Sequence, residues 1–240
     1  MKKEIDWERI YQVNFVDFTD CYLTCEGYCC QNFLGHFFKI LNQKSVVLPL
    51  LESEYLYYQA KGTIPKITKS KKEVFHLRNG KTFVLHFLFC ECGGLCEPHA
   101  LRPLICRIYP YFPLINAKGE ILDFYPASLM DLFYSPSSHP CTLIREHDKA
   151  LKEKLLKNFQ ILLENPLFIF CFLAMELLTK TLQNYLQNPN FTAMNEEEKQ
   201  RFARKLEWCL LSNKAWDNEK FKAQITKIYE EVKGIWGDFL

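Results

Sequence analysis

The sequence predicts an α+β chain: a small, irregular, cysteine-rich metal-binding domain with short β-hairpins over residues 1–145, then an antiparallel helical bundle over residues 146–240. Three observations lead there. Eight of the eleven cysteines fall in two dense clusters, Cys21, Cys25, Cys29 and Cys30, then Cys90, Cys92, Cys96 and Cys106. Asn79-Gly80 separates two short runs of strand-forming residues, as in a hairpin. Beyond residue 146 apolar residues recur at helical spacing.

The elements follow in order. Cys21, Cys25 and Cys29 are four residues apart, as on one helical face, and Gly27 interrupts them, so a helical turn running into a loop is expected. Residues Asn32–Leu41 form a short helix, Val46–Leu51 a strand and Glu52–Gln59 a helix in this reading. Val74–Leu77 and Thr82–Phe87 pair across Asn79-Gly80, with a type I′ turn because Asn-Gly supplies positive φ. A second hairpin spans Tyr111–Phe124 and turns at Asn116–Gly119. Leu151, Leu155, Leu156, Phe159, Leu162 and Leu163 stripe a first long helix, ended by Asn165-Pro166. Pro166 opens the next, which runs to Leu186. Asn195 with Glu198 signals a capping box for a third helix carrying Phe202, Leu206 and Leu210. Asp217 or Asn218 caps a fourth, striped by Phe221, Ile225, Ile228 and Val232.

Composition narrows the function. The chain has 240 residues, 48% of them hydrophobic, enough for one large domain or two modest ones. A net charge of +2 gives no reason to expect a nucleic-acid partner, and Lys66, Lys69, Lys71 and Lys72 read as a solvated loop. The stretch Met1–Arg9 is charged and lacks the apolar core of a secretory signal. The most apolar run, Pro166–Leu178, is about 13 residues, where a membrane span needs about 20. The expectation is a cytoplasmic protein with no membrane partner. Thiols stay reduced there, so a metal ion or cluster is the expected partner of the cysteines, ahead of disulfides.

Thiolates are soft donors that suit zinc or iron–sulfur clusters, four to a centre. Adjacent Cys29 and Cys30 point in different directions and can serve two centres. The chain has no Cys-x2-Cys knuckle, which tilts the reading toward an iron–sulfur cluster (4Fe-4S), with zinc second and metal-free redox or buried thiols third. Arg102 and Arg107 are placed to offset thiolate charge and to hydrogen-bond sulfur, and Pro103 and Pro110 stiffen the segment between. Cys171 and Cys209 sit among apolar residues and read as core. His99 and His139 lie near the cysteines but read first as loop or core histidines, and His76 and His86 as structural. There is no Gly-rich phosphate loop, H-E-x-x-H, G-x-S-x-G or G-x-G-x-x-G, and no Cys-x3-Cys-x2-Cys. No catalytic residue can be named, and whether the protein is an enzyme stays open.

The run Cys21-x3-Cys25-x3-Cys29-Cys30, followed by Cys96-x5-Arg102-Pro103-x2-Cys106-Arg107-x-Tyr109-Pro110, resembles the YkgJ-type cysteine-cluster family over residues 18–145. That family is described as zinc- or iron-chelating, and the bacterial flagellin lysine N-methylase is related to it. The family's downstream Cys-Pro-Gly has its counterpart in Pro140-Cys141-Thr142, with the order of Pro and Cys exchanged and the Gly missing. The family's Cys-x-x-Leu matches Cys92-Gly-Gly-Leu95 better than it matches Cys90. The resemblance thus implies Cys21, Cys25, Cys29, Cys30, Cys92, Cys96, Cys106 and Cys141 as metal ligands. Its related methylase implies an alternative function, modification of a lysine in a protein substrate with S-adenosylmethionine as donor.

Overall fold

The computed structural model describes residues 4–16, 21–31, 45–94, 96, 98–187, 191–213 and 215–240; the short helix expected over 32–41 lies outside them. Helices and small antiparallel sheets are mixed along the chain, an α+β architecture. Helix α1 (Trp7–Gln12) begins at Asp6, whose carboxylate accepts the Arg9 N–H at 2.9 Å, and it buries Trp7 and Ile10. Two single-turn helices follow, α2 (Cys21–Cys25) and α3 (Tyr28–Gln31), separated by Glu26 and Gly27, both at positive φ. The expected helical turn and loop is thus two turns with a break.

Strand β1 (Val46–Leu51) leads directly into α4 (Glu52–Lys61). Strands β2 (Ile67–His76) and β3 (Thr82–Cys90) complete a three-stranded antiparallel sheet in the order β1-β3-β2. Pro49 lacks an N–H and sits on the edge strand β1, where a missing ladder bond is tolerated. Register sets Val46 opposite Cys90, Leu48 opposite Leu88 and Leu50 opposite His86, and all six side chains are buried. Alternation along β3 thereby turns Cys90 to the same inward face as Leu88.

The turn between β2 and β3 differs from the expected type I′. The Gly80 N–H donates to the Leu77 carbonyl at 3.1 Å and the Leu77 N–H to the Lys81 carbonyl at 2.9 Å, with positive φ at Gly80 and not at Asn79. This is a one-residue-longer turn closed by a left-handed glycine, which Asn79 supports by accepting the Lys81 N–H on its side chain at 3.1 Å. The second hairpin, β4 (Tyr111–Ile115) with β5 (Ile121–Pro126), repeats the pattern: the Gly119 N–H donates to Asn116 and the Asn116 N–H to Glu120. Between the two hairpins lies the short helix α5 (Leu104–Ile108).

Helix α6 (Thr142–Asn158) is non-helical at His147, and the expected continuous helix to residue 163 breaks at Phe159, leaving α7 (Gln160–Leu163) as a separate turn. Phe159 is fully buried there, among Phe15, Phe124 and Phe172. Helix α8 (Pro166–Tyr185) starts as expected, with Pro166 in the first turn and the Asn165 side chain accepting the Leu167 N–H at 3.0 Å. The capping box of Asn195 and Glu198 opens α9 (Glu196–Ser212), and Asn218 caps α10 (Glu219–Trp236). Helix α8 is 20 residues with a mean hydropathy of 1.3 over its most apolar window, so by length and composition it is long enough to cross a bilayer, contrary to the 13-residue expectation. In the fold every residue from 166 to 179 is buried or half-buried.

The helices do not stand apart as a bundle. One apolar core joins Trp7, Phe15, Leu104 and Phe112 to Leu155, Ile169, Phe170, Tyr229 and Val232, and α8 packs on both α10 and β4. The expected boundary at 145–146 falls inside α6. Both hairpin turns rest on α10. Arg78 pairs with Glu219 at 2.7 Å, Asn79 bonds Glu230 at 2.6 Å and Lys81 pairs with Asp238 just beyond the helix end. The Trp236 indole N–H donates to the Ala117 carbonyl at 3.0 Å.

Two predictions follow from this packing. Residues on either side of position 145 share a core, so denaturant should unfold them in one transition; hydrogen exchange in β3 and α10 that reports separate unfolding free energies would contradict this. The second concerns Glu54 on α4, only 3% exposed, which accepts the Tyr11 hydroxyl at 2.9 Å and the Leu104 N–H at 2.7 Å. Burial raises its carboxyl from 4.5 to about 7, against the opposing pull of those two donors and Arg107; Cys106 and Cys171 also face it. Folded Glu54 therefore keeps its proton where the unfolded chain has released it. Its contribution of about 3 kcal/mol is complete at acid pH and is lost as pH rises through about 7. Chemical denaturation between pH 5 and pH 8 should show this decline in the native protein and lose most of it in Glu54→Gln.

Candidate metal centre

Gly27 organises the cysteine-bearing segments. A Cβ there would lie 2.8 Å from the Gly93 carbonyl oxygen and 3.3 Å from the Gly94 Cα, and φ is +70°. Only glycine combines that conformation with that approach. The contact lays α3, which carries Cys29 and Cys30, against the turn after β3 that carries Cys92, Gly93 and Gly94. The Cys30 N–H donates back to the Gly27 carbonyl at 2.8 Å, fixing the start of α3.

Five thiols gather on this contact. Cys90 and Cys92 are buried in an apolar cluster with Val46, Leu48, Tyr58 and Leu88, and Cys30, Cys96 and Cys106 pack against it. Cys90 accepts hydrogen bonds from the Cys96 thiol and from the Cys92 N–H and thiol, and its own pKa is drawn down, chiefly by Cys96. Cys96 and Cys92 move upward, Cys96 because it donates to Cys90 and Cys92 mainly through burial. Cys30 is lowered by the Cys29 thiol first, with help from the Gly94 N–H and the charge of Arg102. Burial holds the Cys106 thiol well above its ordinary value, with Arg102 opposing. Backbone N–H groups aimed at Cys30 and Cys90 and a nearby guanidinium are the surroundings that stabilise thiolate.

Arg102 and Arg107 occupy different places. Arg102 acts on Cys30 and Cys106, and its Nε is buried with no hydrogen-bond partner. Arg107 instead donates to the carbonyls of Tyr11 at 2.7 Å, Val13 at 2.9 Å and Ala100 at 3.0 Å, with its guanidinium 5.0 Å from the Tyr11 ring. It ties the chain after α1 to α5.

A second group adjoins the first through Cys29, whose thiol hydrogen-bonds that of Cys30. Cys25 and Cys29 pack against the main core with Cys141, and the charges of Cys25 and Asp131 both bear on Cys141. Cys141 precedes α6, and although its side chain forms no cap, the Leu143 and Ile144 N–H groups oppose the burial that raises its thiol to about 12. The Thr24 and Thr142 hydroxyls meet at 2.6 Å and hold α2 to α6. Cys21 begins α2, but its side chain, like that of His99, lies outside the described residues. Cys171 is half-buried against the main core and Cys209 buried in a cluster with Leu182, Phe202 and Leu206.

The eight cysteines singled out in the sequence thus divide between two groups as far as their side chains are described, and Cys90 joins the first beside Cys92. No described cysteine is in a disulfide. Among the described residues, no three Cys, His, Asp or Glu side chains are arranged to hold one metal ion. The donor set nonetheless fits a thiolate-bound metal in kind: five thiols from three distant stretches, N–H donors aimed at two sulfurs and an unpaired buried guanidinium nitrogen. Two shallow surface hollows, one along Glu146–Glu153 and one between Lys118 and Trp236, are lined by no cysteine. Sequence reasoning missed Asp131, a lone acid in the apolar run Leu129-Met-Asp-Leu-Phe133, which was the signal available. Compared with known proteins, the chain matches no family model, no curated protein and no solved structure.

Proposed function

We propose that the protein binds metal through cysteine thiolates, as an iron–sulfur cluster or as zinc. One observation carries the proposal: Cys30, Cys90, Cys92, Cys96 and Cys106, from three separate stretches of chain, pack on one apolar cluster, with thiol hydrogen bonds linking Cys90, Cys92 and Cys96. Cys30, Cys92, Cys96 and Cys106 would be the ligands of this group, with Cys90 the alternate to Cys92. Cys25, Cys29 and Cys141, with Cys21 from the sequence, would supply the other.

Among these thiols Cys92, Cys96 and Cys106 are pushed toward the protonated form, because burial and neighbouring thiolates disfavour each further charge, while Cys90 and Cys30 are drawn the other way. A bound metal reverses that preference by supplying positive charge, and binding then releases protons. Arg102 offsets part of the remaining negative charge, and the N–H groups of Cys92 and Gly94 direct the lone pairs of Cys90 and Cys30. An iron–sulfur cluster held there would supply one-electron chemistry; zinc would supply a cross-link between α3, the turn after β3 and α5.

Metal analysis and the visible spectrum of anaerobically purified protein test the reading. Iron with matching sulfide and broad visible absorbance identifies the cluster, and zinc without colour identifies the alternative; protein free of both, with its thiols fully titratable, overturns the proposal. Ser substitution at Cys96 or Cys106 should lower bound metal by at least half, whereas Cys171→Ser should keep it and cost about 1–3 kcal/mol of stability. Equal metal loss from Cys171→Ser would count against the division of the thiols. Gly27→Ala places a Cβ against Gly93 and forces an alanine to positive φ, a strain of about 1–2 kcal/mol before the clash. It should reduce metal loading while far-ultraviolet dichroism stays near native; full loading would show that the close approach is dispensable.

A further inference from the structure

A single buried carboxylate joins three of the four stretches that carry the thiols, all but the one with Cys90, Cys92 and Cys96. Asp131 is 3% exposed. Its Oδ1 accepts the Tyr28 hydroxyl and the Tyr109 hydroxyl, each at 3.1 Å, and lies 3.5 Å from His139 Nε2, a close contact without a hydrogen bond. Tyr28 immediately precedes Cys29 and Cys30, Tyr109 lies three residues past Cys106, and His139 lies two before Cys141. His139, also 3% exposed, accepts the Cys141 N–H on Nδ1 at 3.0 Å. A neutral ring that accepts at Nδ1 carries its proton on Nε2, on the side of Asp131. Tyr28 and Tyr134 hold the imidazole edge-on from two sides, with centroids at 5.3 and 5.5 Å. This tautomer keeps His139 from serving as an Nε2 metal ligand while the Cys141 bond is made, so the ring acts on Cys141 through its backbone.

We propose that Asp131 is the positioning residue of the metal centre: one carboxylate oxygen sets the mutual register of the Cys29–Cys30, Cys106 and Cys141 stretches through Tyr28, Tyr109 and His139. The inference rests on the metal-binding reading. Asp131 touches no thiol as a ligand in this assignment; its part is to fix where the backbones that carry them lie. Outer groups of this kind, when removed, weaken metal sites by about 10–100-fold.

Cobalt(II) titration of the apoprotein under anaerobic conditions, read at the thiolate-to-cobalt charge-transfer band and in competition with a chelator, tests the assignment. Asp131→Asn keeps an oxygen in the Oδ1 position, so it should bind cobalt within a few-fold of the native protein. Asp131→Ala should lose about 10-fold or more in affinity and alter the band. Tyr28→Phe and Tyr109→Phe each remove one donor and should fall between the two, which keeps the test decisive if the alanine variant does not fold. Tyr229→Phe, which loses a 2.7 Å bond to Asp238 at the end of α10, is the control for general destabilisation and should bind as the native protein does. Native affinity and band in Asp131→Ala and in both tyrosine variants would overturn the inference, as would equal losses in Tyr229→Phe. Failure of the native protein itself to bind any thiolate-liganded metal would overturn the underlying reading, and is told apart by showing in the unsubstituted chain.

Discussion

Without a side chain at residue 27, the chain between α2 and α3 lies directly on the Gly93 carbonyl, and the placement of most thiols depends on that contact. It presses a four-residue helix against a turn, and neither element is long enough to hold its position alone. The sheet supplies the rigid side: β3 delivers Cys90 on its inward face at a register fixed by Val46 and Leu48, and the turn continues from there. The glycine contact then brings Cys30 to that edge. Cys29, the neighbouring residue, packs on the main core while its thiol bonds that of Cys30, so one short helix links the two groups.

The two groups differ in their electrostatic surroundings. Around Cys30 and Cys106 the nearest fixed charge is the Arg102 guanidinium. Around Cys141 it is the Asp131 carboxylate, buried among tyrosine hydroxyls. A positive neighbour favours ligands that carry their negative charge openly, and a negative neighbour favours a protonated thiol until a cation arrives. On the proposed reading, the two groups would differ in affinity for the same metal even with the same kind of donor.

Much of the local structure was legible because it depends on neighbouring residues. The Asn195–Glu198 capping box, the Asn165-Pro166 helix start and the Val46–Leu51 strand all appear where short-range chemistry puts them. The first hairpin was legible as a hairpin but not as a turn type, since Asn79 spends its side chain on the Lys81 N–H and leaves positive φ to Gly80. The break of α6 at Phe159 was hidden because the apolar repeat continues through it, and only the surrounding aromatic rings set the bend. The gathering of cysteines by spacing could be read from the chain, but their division could not. Tyr28 and Asp131 are 103 positions apart, and nothing local announces that bond. Arg107 shows the same limit: its charge is visible in sequence, its commitment to three backbone carbonyls is not.

The docking of both hairpin turns on α10 has a consequence for the order of assembly. Lys81 and Asp238 are 157 residues apart, and Ala117 and Trp236 are 119 apart. During synthesis on a ribosome, which adds about 5–20 residues per second, the hairpins leave the exit tunnel seconds before the helix that receives them. Until then their turns and the apolar faces beneath them are open to solvent and to chaperones. Closure of the fold therefore waits for α10, the last of the described elements in the order of synthesis.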